Sequence, residues 1–87
     1  MVVIWIPSLM RELTDGIDKI ELQAITIRDA INQINQMYPR FKDRVLEDDS
    51  LKEELSVVVD GVVSDDKLRH DIETAKEVHI LPFISGG

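Results

Sequence analysis

Apolar residues recur along this chain with two different periods, and the switches between them divide it into elements. Val2-Val3-Ile4-Trp5-Ile6 is β-branched and aromatic throughout, a composition that favours a strand. Alternation places Val2, Ile4 and Ile6 on one face and Val3 and Trp5 on the other. Both faces are apolar, as in a strand interior to a sheet. Pro7 has no N–H to donate and ends the pairing. Within Ser8–Thr14, Leu9 and Leu13 are spaced to plug the edge of a core. Asp15-Gly16 marks a turn. Partial alternation over Asp18–Gln23, with Ile20 and Leu22 on one side, predicts a second strand folded back on the first as a hairpin.

The period then changes. Ile27, Ala30, Ile31, Ile34 and Tyr38 follow helical spacing and make one apolar stripe, with Arg28, Asn32, Gln33 and Gln36 outside it. Thr26 is a good N-cap, and Asp29 stands at the third helical position, where a carboxylate faces the positive end of the helix. The helix is predicted over Ile27–Met37, stopped by Pro39. A short helical turn follows over Arg40–Leu46, broken by the polar run Glu47-Asp48-Asp49-Ser50. A further turn is predicted over Leu51–Leu55, capped by Asp49 or Ser50. Val57-Val58-Val59 returns to strand character, Asp60-Gly61 is a hairpin dipeptide, and Val62-Val63 makes a brief return. Leu68 and Ile72 anchor a charged stretch. Glu77–Phe83 is the last strand, with Val78, Ile80 and Pro82 on one face and Glu77, His79, Leu81 and Phe83 on the other. Strand, strand, helix, strand, short strand, strand is an α+β domain with one main helix on one face of a mixed sheet.

Composition narrows what such a domain does. The 87 residues make one domain on a modest core. There are no cysteines, which removes disulfides, thiolate metal sites and a cysteine nucleophile, and fits the cytoplasm. Val2–Ile6 is too short for a signal-peptide core, and no stretch is long enough to span a membrane. A net charge of −7 argues against nucleic acid, whose phosphates require a basic surface, and favours docking onto a basic protein surface.

Candidate chemistry is sparse. His70 and His79 are the only histidines, and neither has a second ligand at metal spacing. Asp48-Asp49 lacks the spaced oxygen ligands and glycine of a calcium loop, so no metal is expected. No serine lies in a nucleophile elbow, no glycine loop suits phosphate, and no pair of groups makes an acid–base site. Two features stand out instead. Gly86-Gly87 carries the terminal carboxylate on a permissive backbone with no side chains, after Phe83, Ile84 and Ser85. Trp5, Leu81 and Phe83 point away from the helix-covered face. If the first and last strands are neighbours, they form an apolar patch at the root of that segment.

These stretches resemble the MoaD/ThiS family of ubiquitin-like β-grasp sulfur carriers and small modifiers. The resemblance covers the whole chain. It rests on Ile4-Trp5-Ile6-Pro7 followed by Leu9-Met10-Arg11-Glu12-Leu13-Thr14, on Thr26-Ile27-Arg28-Asp29-Ala30-Ile31, and on Tyr38-Pro39 with Phe41. Val57-Val58-Val59-Asp60-Gly61 and Glu77-Val78-His79-Ile80-Leu81-Pro82, ending in Gly86-Gly87, complete it. The chain departs from the family where Asp60-Gly61 replaces a common Asn-Gly, and where Thr74-Ala75-Lys76 replaces a glycine-containing turn.

The resemblance implies a β-grasp domain over residues 1–83 and a flexible diglycine tail over 84–87. It also implies that Gly87 is the reacting residue and that no cofactor is bound. A ubiquitin-activating-type adenylating enzyme would use ATP to activate the Gly87 carboxylate. Sulfur transfer would then give a thiocarboxylate. Gly86, Ser85, Ile84, Phe83, Leu81 and Trp5 would contact the partners. The acceptor would be a synthase large subunit, as in molybdopterin synthase, or another sulfur-accepting enzyme. Two alternatives remain at this point: a modifier conjugated through Gly87 to lysines, and a β-grasp interaction domain with an inert tail.

Overall fold

A computed structural model describes residues 1–82 of the chain. Strand β1 (Val2–Trp5) leads through a 3-10 helix (Ser8–Thr14) to β2 (Lys19–Leu22), and helix α1 (Ile27–Met37) follows. A short helix α2 (Phe41–Val45) runs into the small hairpin β3 (Leu46–Glu47) and β4 (Ser50–Leu51). Strands β5 (Leu55–Val59) and β6 (Val62–Val63), a 3-10 turn (Lys67–Arg69) and β7 (Glu77–Pro82) complete the described chain. The main sheet has the order β2-β1-β7-β5-β6, in which only β1 and β7 are parallel. The expected α+β architecture, one helix across one face of a mixed sheet, is what forms.

Alternation explains which face is covered. Val2, Ile4, Ile20, Leu22, Val57, Val59, Val78 and Ile80 point towards α1 and are buried. Ile27, Ala30, Ile31 and Ile34 of the helix meet them. Phe41 and Val45 of α2 and the loop residues Leu68 and Ile72 close the ends of the same core. The helix starts where predicted. Thr26 Oγ1 accepts from the Asp29 N–H at 3.2 Å, and Asp29 Oδ2 accepts from the Ile25 N–H at 3.0 Å. This reciprocal cap satisfies two donors at the helix entrance.

Three expectations change in the structure. Leu9 does not plug the core: it is 73% exposed, while Met10 and Thr14 are buried and Leu13 packs at the margin. The spacing of Leu9 and Leu13 suits an α-helix, but this turn is 3-10, in which residues three apart share a side. Met10 and Leu13 therefore face inward together. The turn expected over Leu51–Leu55 forms only from Lys52, where the Leu55 N–H donates to the Lys52 carbonyl at 3.0 Å, and neither Asp49 nor Ser50 caps it. Asp48 and Asp49 take positive φ values of 52° and 63°, reverse the chain, and pair Ser50–Leu51 with Leu46–Glu47. Arg28 holds that turn, donating to Asp49 Oδ1 at 2.7 Å and to the Asp49 carbonyl at 3.0 Å. Finally, Pro82 is exposed although Val78 and Ile80 beside it on that face are buried.

The two departures from the family pattern meet each other. Asp60 and Gly61 take φ values of 49° and 85°, the left-handed pair that closes a two-residue hairpin. The Asp60 carboxylate accepts from the Lys76 N–H at 3.0 Å and from the Glu77 N–H at 2.9 Å. The Asp60 N–H donates to the Glu77 carbonyl at 2.9 Å. An aspartate in the hairpin thus fastens the turn that precedes β7.

Candidate functional site

β7 is the middle strand of the main sheet, paired with β1 on one side and β5 on the other. The parallel register with β1 sets Val3 beside Glu77, Ile4 beside Val78 and Trp5 beside His79. Both strands therefore end at the same edge, where the chain beyond Trp5 turns at Pro7 and β7 reaches Pro82. On the other side, Leu55 lies opposite Pro82 and Ser56 opposite Leu81. Strand pairing on both flanks fixes the backbone that leads into the C-terminal segment.

The face away from α1 is open, and its registers assemble one row across the whole sheet: Lys19, Trp5, His79, Val58 and Val63. The Trp5 indole and the His79 imidazole stack with centroids 5.5 Å apart and planes 2° from parallel. Lys19 Nζ stands 5.2 Å from the Trp5 ring centre, within cation–π range. The Trp5 Nε1–H is covered and has no acceptor among the described residues.

Leu81 is 42% exposed and lies one alternation beyond His79 on the same face. It shares with Trp5 a hollow of about 270 Å³ bordered also by Pro7, Leu9, Arg11 and Pro82. On the helix side of Pro82 a second hollow, about 330 Å³, is lined by Met10, Arg44, Lys52, Glu54 and Leu55, with Pro7, Leu9 and Pro82 common to both. The end of β7 thus separates two shallow depressions.

The structure brings Trp5 and Leu81 to one surface, as the strand patterns predicted. It places His79, rather than Leu81, directly against Trp5. Phe83, Ile84, Ser85, Gly86 and Gly87 lie outside the described residues. His79, Lys19 and Leu9 were missed as surface residues of this site. Alternation already put His79 on the face of Leu81, but its stacking on Trp5 depends on the parallel register. The other histidine serves the fold: His70 Nδ1 is 2.7 Å from Ser64 Oγ, which also accepts from the Lys67 N–H at 3.0 Å. Among the described residues no cluster of His, Asp and Glu is arranged to hold a metal ion, and no helix is long and apolar enough to cross a membrane.

Comparisons with known proteins agree with this geometry. A model of the ThiS family matches residues 4–87. No curated protein matches the sequence significantly. Among solved structures, a chain of the Amycolatopsis orientalis BexX/CysO complex superposes with a TM-score of 0.89 at 22% identity, covering 100% of both chains. CysO of Mycobacterium tuberculosis, described as an antigen, gives 0.86 at 21% identity over 97% of this chain and 100% of that one. The small archaeal modifier protein 1 of Methanosarcina acetivorans gives 0.78 at 21% identity over 99% and 95%. These likenesses establish the β-grasp fold.

Proposed function

Because the chain belongs to the ThiS family, we propose that it is a sulfur carrier whose reacting group is the carboxylate of Gly87. The observation that carries this reading is the family match, which runs to Gly87 and so takes in Gly86-Gly87 together with the strand that leads to them. The geometry suits it. β7 is held on both sides, so the segment beyond Pro82 starts from a rigid base, and an apolar surface of half-buried Trp5 and exposed Leu81 lies beside that base.

A carboxylate is a poor electrophile until it carries a leaving group. An adenylating partner would join the Gly87 carboxylate to the α-phosphate of ATP and release pyrophosphate. A sulfur donor would then displace AMP, leaving a thiocarboxylate that passes its sulfur to an acceptor enzyme, with the molybdopterin synthase large subunit as the model. The adenylate must be shielded from water, which requires the tail to enter an enclosed site. Glycines at positions 86 and 87 offer no side chain to obstruct such a channel. Docking of the folded body holds the carboxylate near the site and raises its effective concentration. In this reading the chain is a co-substrate working in the cytoplasm, and the catalytic groups belong to its partners.

The test is intact-mass analysis of the protein isolated from its own cells, and of purified protein incubated with the adenylating enzyme, ATP and a sulfur donor. The expected product has one oxygen exchanged for sulfur, and a variant lacking Gly87 does not form it. An unmodified carboxylate under all conditions overturns the reading. A second reading, conjugation through Gly87 to lysines, draws support from the likeness to the small archaeal modifier protein. It predicts diglycine remnants on target lysines in the same cells.

A further inference from the structure

The chain's 17 carboxylates outnumber its 10 lysines and arginines, for a net charge of −7. Cations outnumber carboxylates at two places among the described residues: beside Pro82, and in a hollow where Arg28, already paired with Asp49, stands with Lys67 and Arg69 against Asp66. The two hollows flanking Pro82 are lined by Arg11, Arg44 and Lys52 against one carboxylate, Glu54, while Lys52 also borders Glu47, Asp48 and Glu53, and Arg44 also borders Glu12 and Asp43, in adjoining hollows. Three separate elements bring these cations together. Arg11 comes from the 3-10 helix after β1, Arg44 from α2, and Lys52 from the turn that enters β5 beside Pro82. Arg11 is held in place, its Nε–H donating to the Ile6 carbonyl at 3.2 Å. Arg44 lies 4.0 Å from the carboxylate of Glu12 in an exposed pair, an arrangement worth little in water. Neither Arg11 nor Lys52 is in an ion pair among the described residues. Leu9, 73% exposed, borders both hollows and supplies an apolar centre to the cationic ring.

We propose that Arg11, Arg44 and Lys52 form a cationic collar that seats on an acidic rim around the channel of the protein receiving the tail, with Leu9 as its apolar anchor. This rests on the sulfur-carrier reading above and specifies its partner surface: carboxylates at the channel mouth, with an apolar notch for Leu9. Charge selects a protein over nucleic acid. Away from the collar the chain is strongly acidic, so an extended phosphate backbone would be repelled by the body that surrounds it. A compact acidic rim meets the collar alone. The same asymmetry orients encounter, because an acidic channel mouth attracts the collar end and repels the rest, presenting the molecule tail first.

Two experiments test this, and the first needs no activating enzyme. The isotope-labelled full chain is titrated at low salt with a hexaglutamate peptide and, separately, with a hexathymidylate oligonucleotide. Amide shifts at Leu9, Arg44 and Lys52, lost in Lys52→Glu and absent at Lys67 and Arg69, support the collar. Shifts equally large at Lys67 and Arg69, no shifts, or stronger binding of the oligonucleotide overturn it. In the second, Lys52→Glu and the charge-matched Arg69→Glu are compared as substrates of the adenylating enzyme from the same cells. Lys52→Glu should raise KM by about tenfold at low salt, with kcat and the thermal midpoint unchanged. Arg69→Glu should leave all three alone. Equal effects of the two variants overturn the collar. No pyrophosphate exchange with the unaltered chain counts against the sulfur-carrier reading, and the titration still decides the collar.

Discussion

Replacing Asp60 removes the side chain that, among the described residues, hydrogen-bonds the β5–β6 hairpin to the start of β7, and the structure sets the size of the effect. The carboxylate accepts from two backbone donors, Lys76 and Glu77, at 3.0 and 2.9 Å. Hydrogen bonds to a charged acceptor contribute ~1.5–3 kcal/mol when sheltered. Both of these are exposed, and water can replace the carboxylate, so roughly 1 kcal/mol each is the appropriate scale. Asp60 also has a φ of 49°, a left-handed conformation that aspartate, asparagine and glycine accept more readily than alanine, by ~1 kcal/mol. Asp60→Ala should therefore cost roughly 2–3 kcal/mol in all. In a domain of this size that lowers the thermal midpoint by about 10 °C or more. Asp60→Asn keeps an acceptor and the backbone preference, and should cost about 1 kcal/mol or less. Asp60→Gly keeps the backbone freedom without the acceptor and should fall between them. Urea denaturation followed by the fluorescence of Trp5, the sole tryptophan, measures all three. Faster amide exchange at Lys76 and Glu77 in Asp60→Ala locates the loss. An alanine variant within about 0.5 kcal/mol of the original, or an asparagine variant as damaged as alanine, refutes the reasoning.

Ile34, on the inner face of α1, is fully buried, and Ile34→Ala should lose about 3–4 kcal/mol in the same denaturation assay through lost burial and a residual cavity. Thr26→Ala removes the helix cap and should cost about 1 kcal/mol, with Thr26→Ser recovering most of it. Leu81→Asn, a neutral change on the open face, should leave the denaturation midpoint nearly unchanged while weakening docking to the adenylating partner, read as a raised KM in pyrophosphate exchange. Loss of docking accompanied by a comparable loss of stability would return Leu81 to the core.

The local elements were legible because short-range physics decides them. The stripe from Ile27 to Tyr38, the Thr26 cap and Pro39 specify α1, and the structure places it over Ile27–Met37. Asp60-Gly61 specifies its hairpin because few residues tolerate two successive positive φ values. Errors arose where two local solutions compete. Leu9 and Leu13 fit an α-helical spacing, and only packing of the 3-10 turn against α2 shows that Met10 and Leu13 face inward together. Asp48-Asp49 has the polarity of a helix break and the conformational tolerance of a hairpin turn. The choice fell to Arg28, which is 21 residues away and grips the turn from α1.

For the site, alternation alone put Trp5 and Leu81 on uncovered faces of their strands, and the terminal Gly86-Gly87 needed no fold to be noticed. Strand order and register are a different matter. They depend on which strands find each other across the whole chain, and no local pattern encodes a parallel pairing between residues 5 and 79. The stacking of Trp5 on His79 follows from that long-range pairing, and the gathering of Arg11, Arg44 and Lys52 around Pro82 follows from the packing of three separate elements, whereas Lys19 reaches the Trp5 ring through the β1–β2 hairpin that the sequence already predicted. Each of these side chains comes from an element whose local preferences are satisfied without the others. The chain's own sequence thus determined the elements, the covered and uncovered faces and the diglycine end, while tertiary structure alone decided which side chains stand together beside it.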